Sequence, residues 1–503
     1  MNKYINKYES AIESYGLYET WHTILTEHDT DYSIYMLNNV SEMYEYGLAY
    51  NDKNNKKSLG KYYTPSDTGR FMAQQLISSI DSDDYLRYEY FEPCVGVGDL
   101  LFELLDELSK RNIDMKDMIG NHLHISDIDK TALMIANERI KFRYGIYPAS
   151  SENIDFILNG ENIGIHDVVI MNPPYGRTTQ YSKCGLKTEH IHDFYPMFIE
   201  KISGAAYSVS VVPQSFIGAE SYSDLRDVLS QKAGGVIYSY DNVPASLFNG
   251  RKHGVFNTNT VNSTRAAIIV ASSFKANQGY VVSPLIRWKS TERDKIFNAS
   301  IKSIKGKTRY ECGSKPWAKL PSSLDPLFDT FNDIPTIGDI SSKNGKFTLT
   351  VPASIRYYIS ATYRNLNRAS KHVLHFDTEE MREIAYIILN SNLSYAFWRA
   401  YDGGITLTSS LLNKIPVPII DKNGQLIDKT ISDAIHTQVE TLHEQENSYI
   451  SIKINAGKPN ENVKFPDSIL KRNTEIILPN ATNAELQSLS DYRSPSIAWL
   501  MRD

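Results

Sequence analysis

Between residues 58 and 275, short apolar runs alternate with stretches in which apolar side chains recur every three to four positions. The runs at 88–92, 122–126, 167–171, 206–212, 236–240 and 265–271 predict strands. The periodic stretches at 67–80, 99–111, 129–144, 192–203 and 221–232 predict helices. Such alternation implies an α/β domain: a mainly parallel sheet with helices on both faces. No helical stretch separates the last two runs, so the sheet is expected to end in a hairpin. After 275 the rhythm is lost. Strand-like runs at 280–289, 346–351 and 356–360 mix with turns and helices, which predicts a second, mixed α+β domain over 276–420. An amphipathic helix is expected at 428–450, within a C-terminal segment and tail over 421–503. At the other end, Tyr15, Leu17, Trp21, Leu25, Tyr32 and Met36 recur at helical spacing ahead of a polar linker at 51–57. Residues 1–57 are therefore read as a helical segment preceding the α/β domain at 58–275.

Composition narrows the function classes. With 503 residues, 41% hydrophobic and 22% charged, the chain is an ordinary globular protein of more than one domain. No apolar run is long enough for a membrane span, and the N-terminus has no apolar signal core, so a cytoplasmic protein is expected. The three cysteines, Cys94, Cys184 and Cys312, form no C-x-x-C pair, and neither a disulfide framework nor a metal cluster is expected. The net charge of −6 hides a segregation. Residues 287–319 hold ten basic side chains against three acidic ones, and 341–372 hold six against none. A basic stretch of this kind suggests a nucleic-acid partner.

Two strand ends carry candidate binding chemistry. The first ends in Glu92-Pro93-Cys94-Val95-Gly96-Val97-Gly98, where glycines permit a tight turn and close approach of backbone to a ligand. A dinucleotide fingerprint needs a third glycine where this chain has Leu101, which disfavours NAD. Glu92 suits a ligand carrying a cation. The second ends at Ser126-Ile128 around Asp127, a carboxylate placed to bond ribose hydroxyls, while Asp129 falls where a helix cap is expected. Farther on, Asp155 can accept from an adenine amino group and Phe156 can pack on the ring; the pair also reads as a turn with a core aromatic.

The run at 167–171 ends in Asn172-Pro173-Pro174-Tyr175. The prolines end the ladder and hold a stiff segment whose carbonyls point in fixed directions. An aromatic amino group is a poor nucleophile because its lone pair is delocalised. Acceptance of its two N–H bonds by the Asn172 side chain and the Pro173 carbonyl would localise that pair. Tyr175 offers a stacking face for a base drawn out of a duplex.

Taken together, these segments resemble the N6-adenine DNA methyltransferases with an NPPY motif, in the order that puts the cofactor motifs first and the target-recognition domain C-terminal. The match runs from Gly60-Lys61-Tyr62-Tyr63-Thr64-Pro65 through Glu92–Gly98, Asp127, Asp155-Phe156 and Asn172–Tyr175. It continues through 194–200 and 211–213 to Asn242-Val243-Pro244-Ala245-Ser246-Leu247-Phe248. The resemblance implies a Rossmann-like S-adenosylmethionine-dependent methyltransferase domain followed by a DNA-recognition domain. It implies cofactor contacts by Tyr63, Thr64, Pro65, Glu92, Cys94, Gly96, Gly98, Asp127, Ile128, Asp155, Phe156, Asn172 and Phe198. It implies catalytic roles for Asn172, Pro173, Pro174 and Tyr175, and for Phe248 against the extruded base, with Phe256 as the rival aromatic. Val95, Val97 and Asp99 depart from the usual turn, and the polar insert at 251–264 is long.

On this reading the partner is double-stranded DNA, and candidate contacts are Arg251, Lys252, Arg356, Arg364, Arg368 and Lys371, among the aromatics Trp288, Tyr310, Trp317, Tyr357, Tyr358 and Tyr363. A modification enzyme with a separate restriction endonuclease and a solitary one are both open. Cytosine-N4, RNA or protein amino-group methylation and a catalytically idle DNA-binding subunit stand as alternatives. No spaced carboxylate-and-lysine nuclease site is visible outside the α/β domain.

Overall fold

The computed structural model describes residues 64–160, 163–181, 183–248, 264–355, 357–402, 406–455 and 457–502. The N-terminal segment 1–57 and the candidate residues Tyr63, Arg251, Lys252, Phe256 and Arg356 lie outside the described residues. The chain divides into two compact units, one built from residues up to 216 with 220–282 and 310–315, the other from 217–219, 283–309 and 316–503.

In the first unit, β1 (Glu89–Glu92), β2 (Leu123–Ser126), β3 (Ser150–Glu152), β4 (Asp167–Met171), β5 (Tyr207–Pro213), β6 (Gly234–Tyr240) and β7 (Ala266–Ser272) join one sheet with β8 (Tyr280–Ile286), in the order β3-β2-β1-β4-β5-β7-β6-β8. The pairs β1–β2, β2–β3, β1–β4 and β4–β5 are parallel. β7 runs antiparallel between β5 and β6, so the expected hairpin of the last two predicted strands is present, with its second arm turned inward. Strand burial follows from sequence. All seven residues of β5 and of β7 are buried, as continuous apolar runs covered on both faces require. Polar, three-residue β3 at the edge has no apolar signal, and the sequence reading missed it. β8, expected beyond the sheet, is its outermost strand next to β6. The run at 356–360 forms no strand among its described residues.

Helices α1 (Ser66–Ser79), α2 (Asp99–Leu108), α4 (Lys130–Tyr144), α6 (Phe194–Ile202) and α7 (Ser223–Lys232) flank this sheet as their spacing predicts, and the short α3 (Met115–His122) and α5 (Phe156–Asn159) were not foreseen. Asp129 caps α4 by accepting from the Thr131 and Ala132 N–H groups. Chain order reverses between β1 and β4, which are neighbours. Ligands of open α/β sheets bind beyond the carboxyl ends of strands at such a switch point. The first strand delivers Glu92 and the Gly turn there, and β4 delivers Asn172.

In the second unit a single apolar core spans Leu285 to Tyr492. It is built by β9 (Phe347–Pro352), antiparallel to β10 (Lys371–Phe376), and by helices α8 (Glu379–Leu389), α9 (Asn392–Tyr401), α10 (Lys429–Gln445) and α11 (Asp467–Ile477). A two-stranded ribbon, β11 (Ile450–Asn455) with β12 (Lys458–Val463), stands beside them. Among the described residues no helix is long and apolar enough to cross a membrane.

Candidate active site

The Gly turn after β1 owes its shape to two positive-φ glycines, Gly96 at 55° and Gly98 at 94°. Val95 N–H donates to Ser126 O at 3.0 Å, and Gly98 N–H donates to Val95 O at 2.9 Å. Gly98 then serves as the N-cap of α2. A Cβ at Gly98 would meet Phe102 at 3.4 Å and Ala136 at 3.5 Å, so the obstacle is the backbone conformation rather than space. Gly98→Ala is expected to cost about 1–2 kcal/mol of folding stability. An unchanged denaturant midpoint would contradict that.

This turn forms one wall of a pocket lined also by Thr64, Asp127, Ile128, Asp155, Phe156, Asn172, Tyr181, Phe194 and Phe198. Its acidic part holds Glu92, Asp127 and Asp99. Glu92 is 2% exposed, and its Oε2 is buried without a hydrogen-bond partner. Burial first, then the charges of Asp127 and Asp99, push its carboxyl well above the usual range. Asp127 is already engaged: Oδ2 accepts from Gly96 N–H at 2.8 Å and Oδ1 from Asp129 N–H at 2.7 Å. It therefore fastens the Gly turn to β2, a role in addition to the ribose contact expected from sequence. Asp99, where the turn departs from the usual pattern, pairs with Arg139 at 2.8 Å. Burial, with Glu92 and Asp127, pushes the Cys94 thiol up, against the opposing Asn172 N–H, so the thiol stays protonated.

The pocket's aromatic part is a stack of Phe156 on Phe198, centroids 5.5 Å apart at 27°, beside Tyr181 set edge-on to Phe194 at 5.8 Å. Asp155 caps α5 through Oδ1, which accepts from Ile157 N–H at 3.0 Å. The α6 residue Lys201 holds the other end of α5, donating to Phe156 O at 2.7 Å and Gly160 O at 2.8 Å.

Asn172 follows the fully buried end of β4 and lines the same pocket. Its Nδ2 donates to Thr64 Oγ1 at 3.0 Å, which sets the amide's orientation from the segment ahead of α1. Pro174 lines the pocket as well. Tyr175 donates its hydroxyl to Val211 O at 2.9 Å, and its ring meets Phe248 edge-on, centroids 5.9 Å apart at 67°. The motif's amide thus faces the pocket while its tyrosine forms an aromatic pair with Phe248.

Residues 37–205 match the model of the N-6 DNA Methylase family. The chain resembles the N-6 DNA methylases. Among relatives, it is 26% identical over 201 residues to the Type II methyltransferase M.BsuBI of Bacillus subtilis, covering 35% of this chain and 38% of that protein. It is 31% identical over 140 residues to the Type II methyltransferase M.BanIII of Aneurinibacillus aneurinilyticus, covering 24% and 23%. The matched span is thus less than half the length of either relative. Among solved structures, the Type IIL restriction-modification enzyme MmeI is similar at 12% identity and a TM-score of 0.47, over 88% of this chain and 80% of that one.

The pocket fits S-adenosylmethionine, the methyl donor of N-6 DNA methylases. The orphaned buried oxygen of Glu92 suits the donor's cationic end, and the Phe156–Phe198 stack with exposed Ile128 suits its purine. Of the residues expected to touch the cofactor, Thr64, Glu92, Cys94, Gly96, Asp127, Ile128, Asp155, Phe156, Asn172 and Phe198 line this one pocket. Pro65, the N-cap of α1, and Gly98, the N-cap of α2, do not line it. Sequence reasoning missed Gln180, Tyr181 and Phe194. The first two sit in the polar loop at 176–193, whose residues have no periodicity; an aromatic close after the NPPY motif was the available signal.

The expected DNA contacts in the second unit are engaged within it. Arg364 donates to Asn447 Oδ1 at 2.8 Å and pairs with Glu461 at 3.5 Å. Arg368 donates to Ser370 O at 3.0 Å and bonds Asn462, and Lys371 donates to Asn365 Oδ1 at 2.6 Å. The basic stretch at 287–319 is partly interior. Arg287, Lys307 and Lys319 are buried, on Tyr395, Asp325 and Asp402 respectively, and Trp288 and Trp317 are core residues.

Proposed function

We propose that this chain methylates the exocyclic N6 of adenine in duplex DNA, at a base extruded onto Tyr175 as the edge-on contact of that ring with Phe248 opens, with S-adenosylmethionine as donor. The observation that carries this reading is the position of Asn172: its amide lines the cofactor pocket while Tyr175, three residues on, faces Phe248. Bound S-adenosylmethionine supplies an electrophilic methyl group on a sulfonium. The chain's own residues do the rest. Asn172 Oδ1 and the Pro173 carbonyl accept the amine's two N–H bonds and localise its lone pair. The Thr64 hydroxyl holds the Asn172 amide with its oxygen as the acceptor pole. Glu92 binds the donor's cationic end, Asp127 its ribose, and Asp155 with Phe156 and Phe198 its purine. Arg364, Arg368 and Lys371, once released from their partners within the second unit, are the chain's phosphate contacts to the duplex, and a partner restriction endonuclease makes the chain the modification component of such a pair.

Incubation with labelled S-adenosylmethionine and mixed-sequence DNA, followed by digestion to nucleosides, tests this. Label is expected in N6-methyladenine; label in N4-methylcytosine, or no label in the DNA, sinks the adenine reading. Loss of the stacking plate in Tyr175→Ala is expected to cut the fluorescence rise of a target-site 2-aminopurine, since base–aromatic stacking contributes about 1–3 kcal/mol. An unchanged signal would argue against stacking.

A further inference from the structure

The loop between Tyr175 and α6 is closed on itself: Thr178 N–H donates to His192 O at 2.7 Å, and Phe194 N–H to Gly176 O at 3.1 Å. Inside it, Tyr181 is 5% exposed and lines the cofactor pocket. Its hydroxyl donates to Asp155 Oδ2 at 2.5 Å. Asp155 Oδ1 is meanwhile held by the α5 backbone, from Ile157 N–H at 3.0 Å and Leu158 N–H at 3.4 Å. A carboxylate oxygen has two lone-pair directions. With one oxygen fixed by the helix cap and the other by Tyr181, the carboxylate cannot rotate, and the second lone pair of Oδ2 has a set direction. Burial, followed by the bond to Asp155, raises the Tyr181 pKa, so the hydroxyl remains a donor across the working pH range.

We propose that Tyr181 is a positioning residue for the cofactor's purine, holding Asp155 so that its carboxylate accepts from the exocyclic amino group of the adenine moiety. The inference rests on the S-adenosylmethionine reading of the pocket and adds to it. It makes the loop that follows the catalytic motif a determinant of which purine the cofactor carries.

Calorimetry with two ligands tests it: S-adenosylhomocysteine, and its inosine counterpart, which carries a carbonyl in place of the amino group. The wild type is expected to prefer the adenine ligand. Tyr181→Phe keeps the ring and is expected to weaken the adenine ligand about tenfold, as loss of support for one charge-assisted bond implies. The inosine ligand should change little, so the preference collapses. Asp155→Asn, which turns one acceptor into a donor, should lose the preference as well. Equal weakening of both ligands by Tyr181→Phe, or a preference that survives in either variant, overturns the positioning role and leaves the cofactor reading standing. A wild-type protein that binds neither ligand overturns both.

Discussion

Replacing Asn172 with alanine is expected to lower methyl transfer by about 10²- to 10³-fold, the cost of removing one preorganised group at a reacting centre. Binding of S-adenosylhomocysteine and of DNA should change by no more than about threefold in the same variant, since affinity for each rests on other groups. The reason is local. The amide is held by Thr64 on one side and by the stiff Pro173-Pro174 segment on the other. Alanine removes the acceptor without disturbing the aromatic pair of Tyr175 and Phe248. Single-turnover transfer with saturating DNA measures the chemical step directly. A variant that turns over within tenfold of wild type would remove Asn172 from the chemistry. One that loses cofactor affinity in proportion would reassign it to binding.

Glu92→Gln is expected to act in opposite directions on the ligand-free protein and on its complex. In the ligand-free fold, Glu92 is raised well above its ordinary value of 4.5, chiefly by burial. Between those two values the folded chain keeps a proton that the unfolded chain has released. Its stability therefore falls as pH rises through that window, and the penalty is absent below 4.5. Glutamine removes this slope, so the ligand-free variant should unfold at a higher temperature than wild type at pH 8 and at the same temperature at low pH. Cofactor binding should respond in the other sense. A cation opposite Glu92 favours the ionised carboxylate, so wild-type affinity rises with pH as the proton becomes easier to release. The variant should bind about 10- to 100-fold more weakly, with that pH dependence gone. Titration calorimetry in buffers of different ionisation enthalpy would show proton release on binding in wild type alone. Unchanged affinity in Glu92→Gln would show that the carboxylate faces no cation.

What could be read from sequence was what depends on neighbours in the chain. The Gly96 and Gly98 turn, the Asp129 cap and the stiff end of β4 are written in residues a few positions apart, and the alternating apolar runs specified the sheet around them except for its two edge strands, β8 and the polar β3. Side chains brought together from distant segments were partly legible. Asp127 and Asp155 were singled out for a ligand, yet the structure also uses them to bind backbone N–H groups, which a linear reading does not reveal. Tyr181 was missed because a polar loop gives no periodic signal of which residue turns inward. Charge along the sequence misled in another way. Ten basic side chains in 287–319 read as one exposed patch, but burial of Arg287, Lys307 and Lys319 on interior partners takes them from the surface. A count of charges carries no information about which of them the core neutralises.

The most direct test of the central claim is a crystal structure of the protein with S-adenosylhomocysteine and a duplex containing its target site. An extruded adenine is expected on the Tyr175 ring, with Phe248 parted from its present edge-on contact, the base's N6 within hydrogen-bond distance of Asn172 Oδ1 and the Pro173 carbonyl and facing the ligand's sulfur. A duplex left fully stacked with ligand in the pocket, or a different group on those two oxygens, would contradict it.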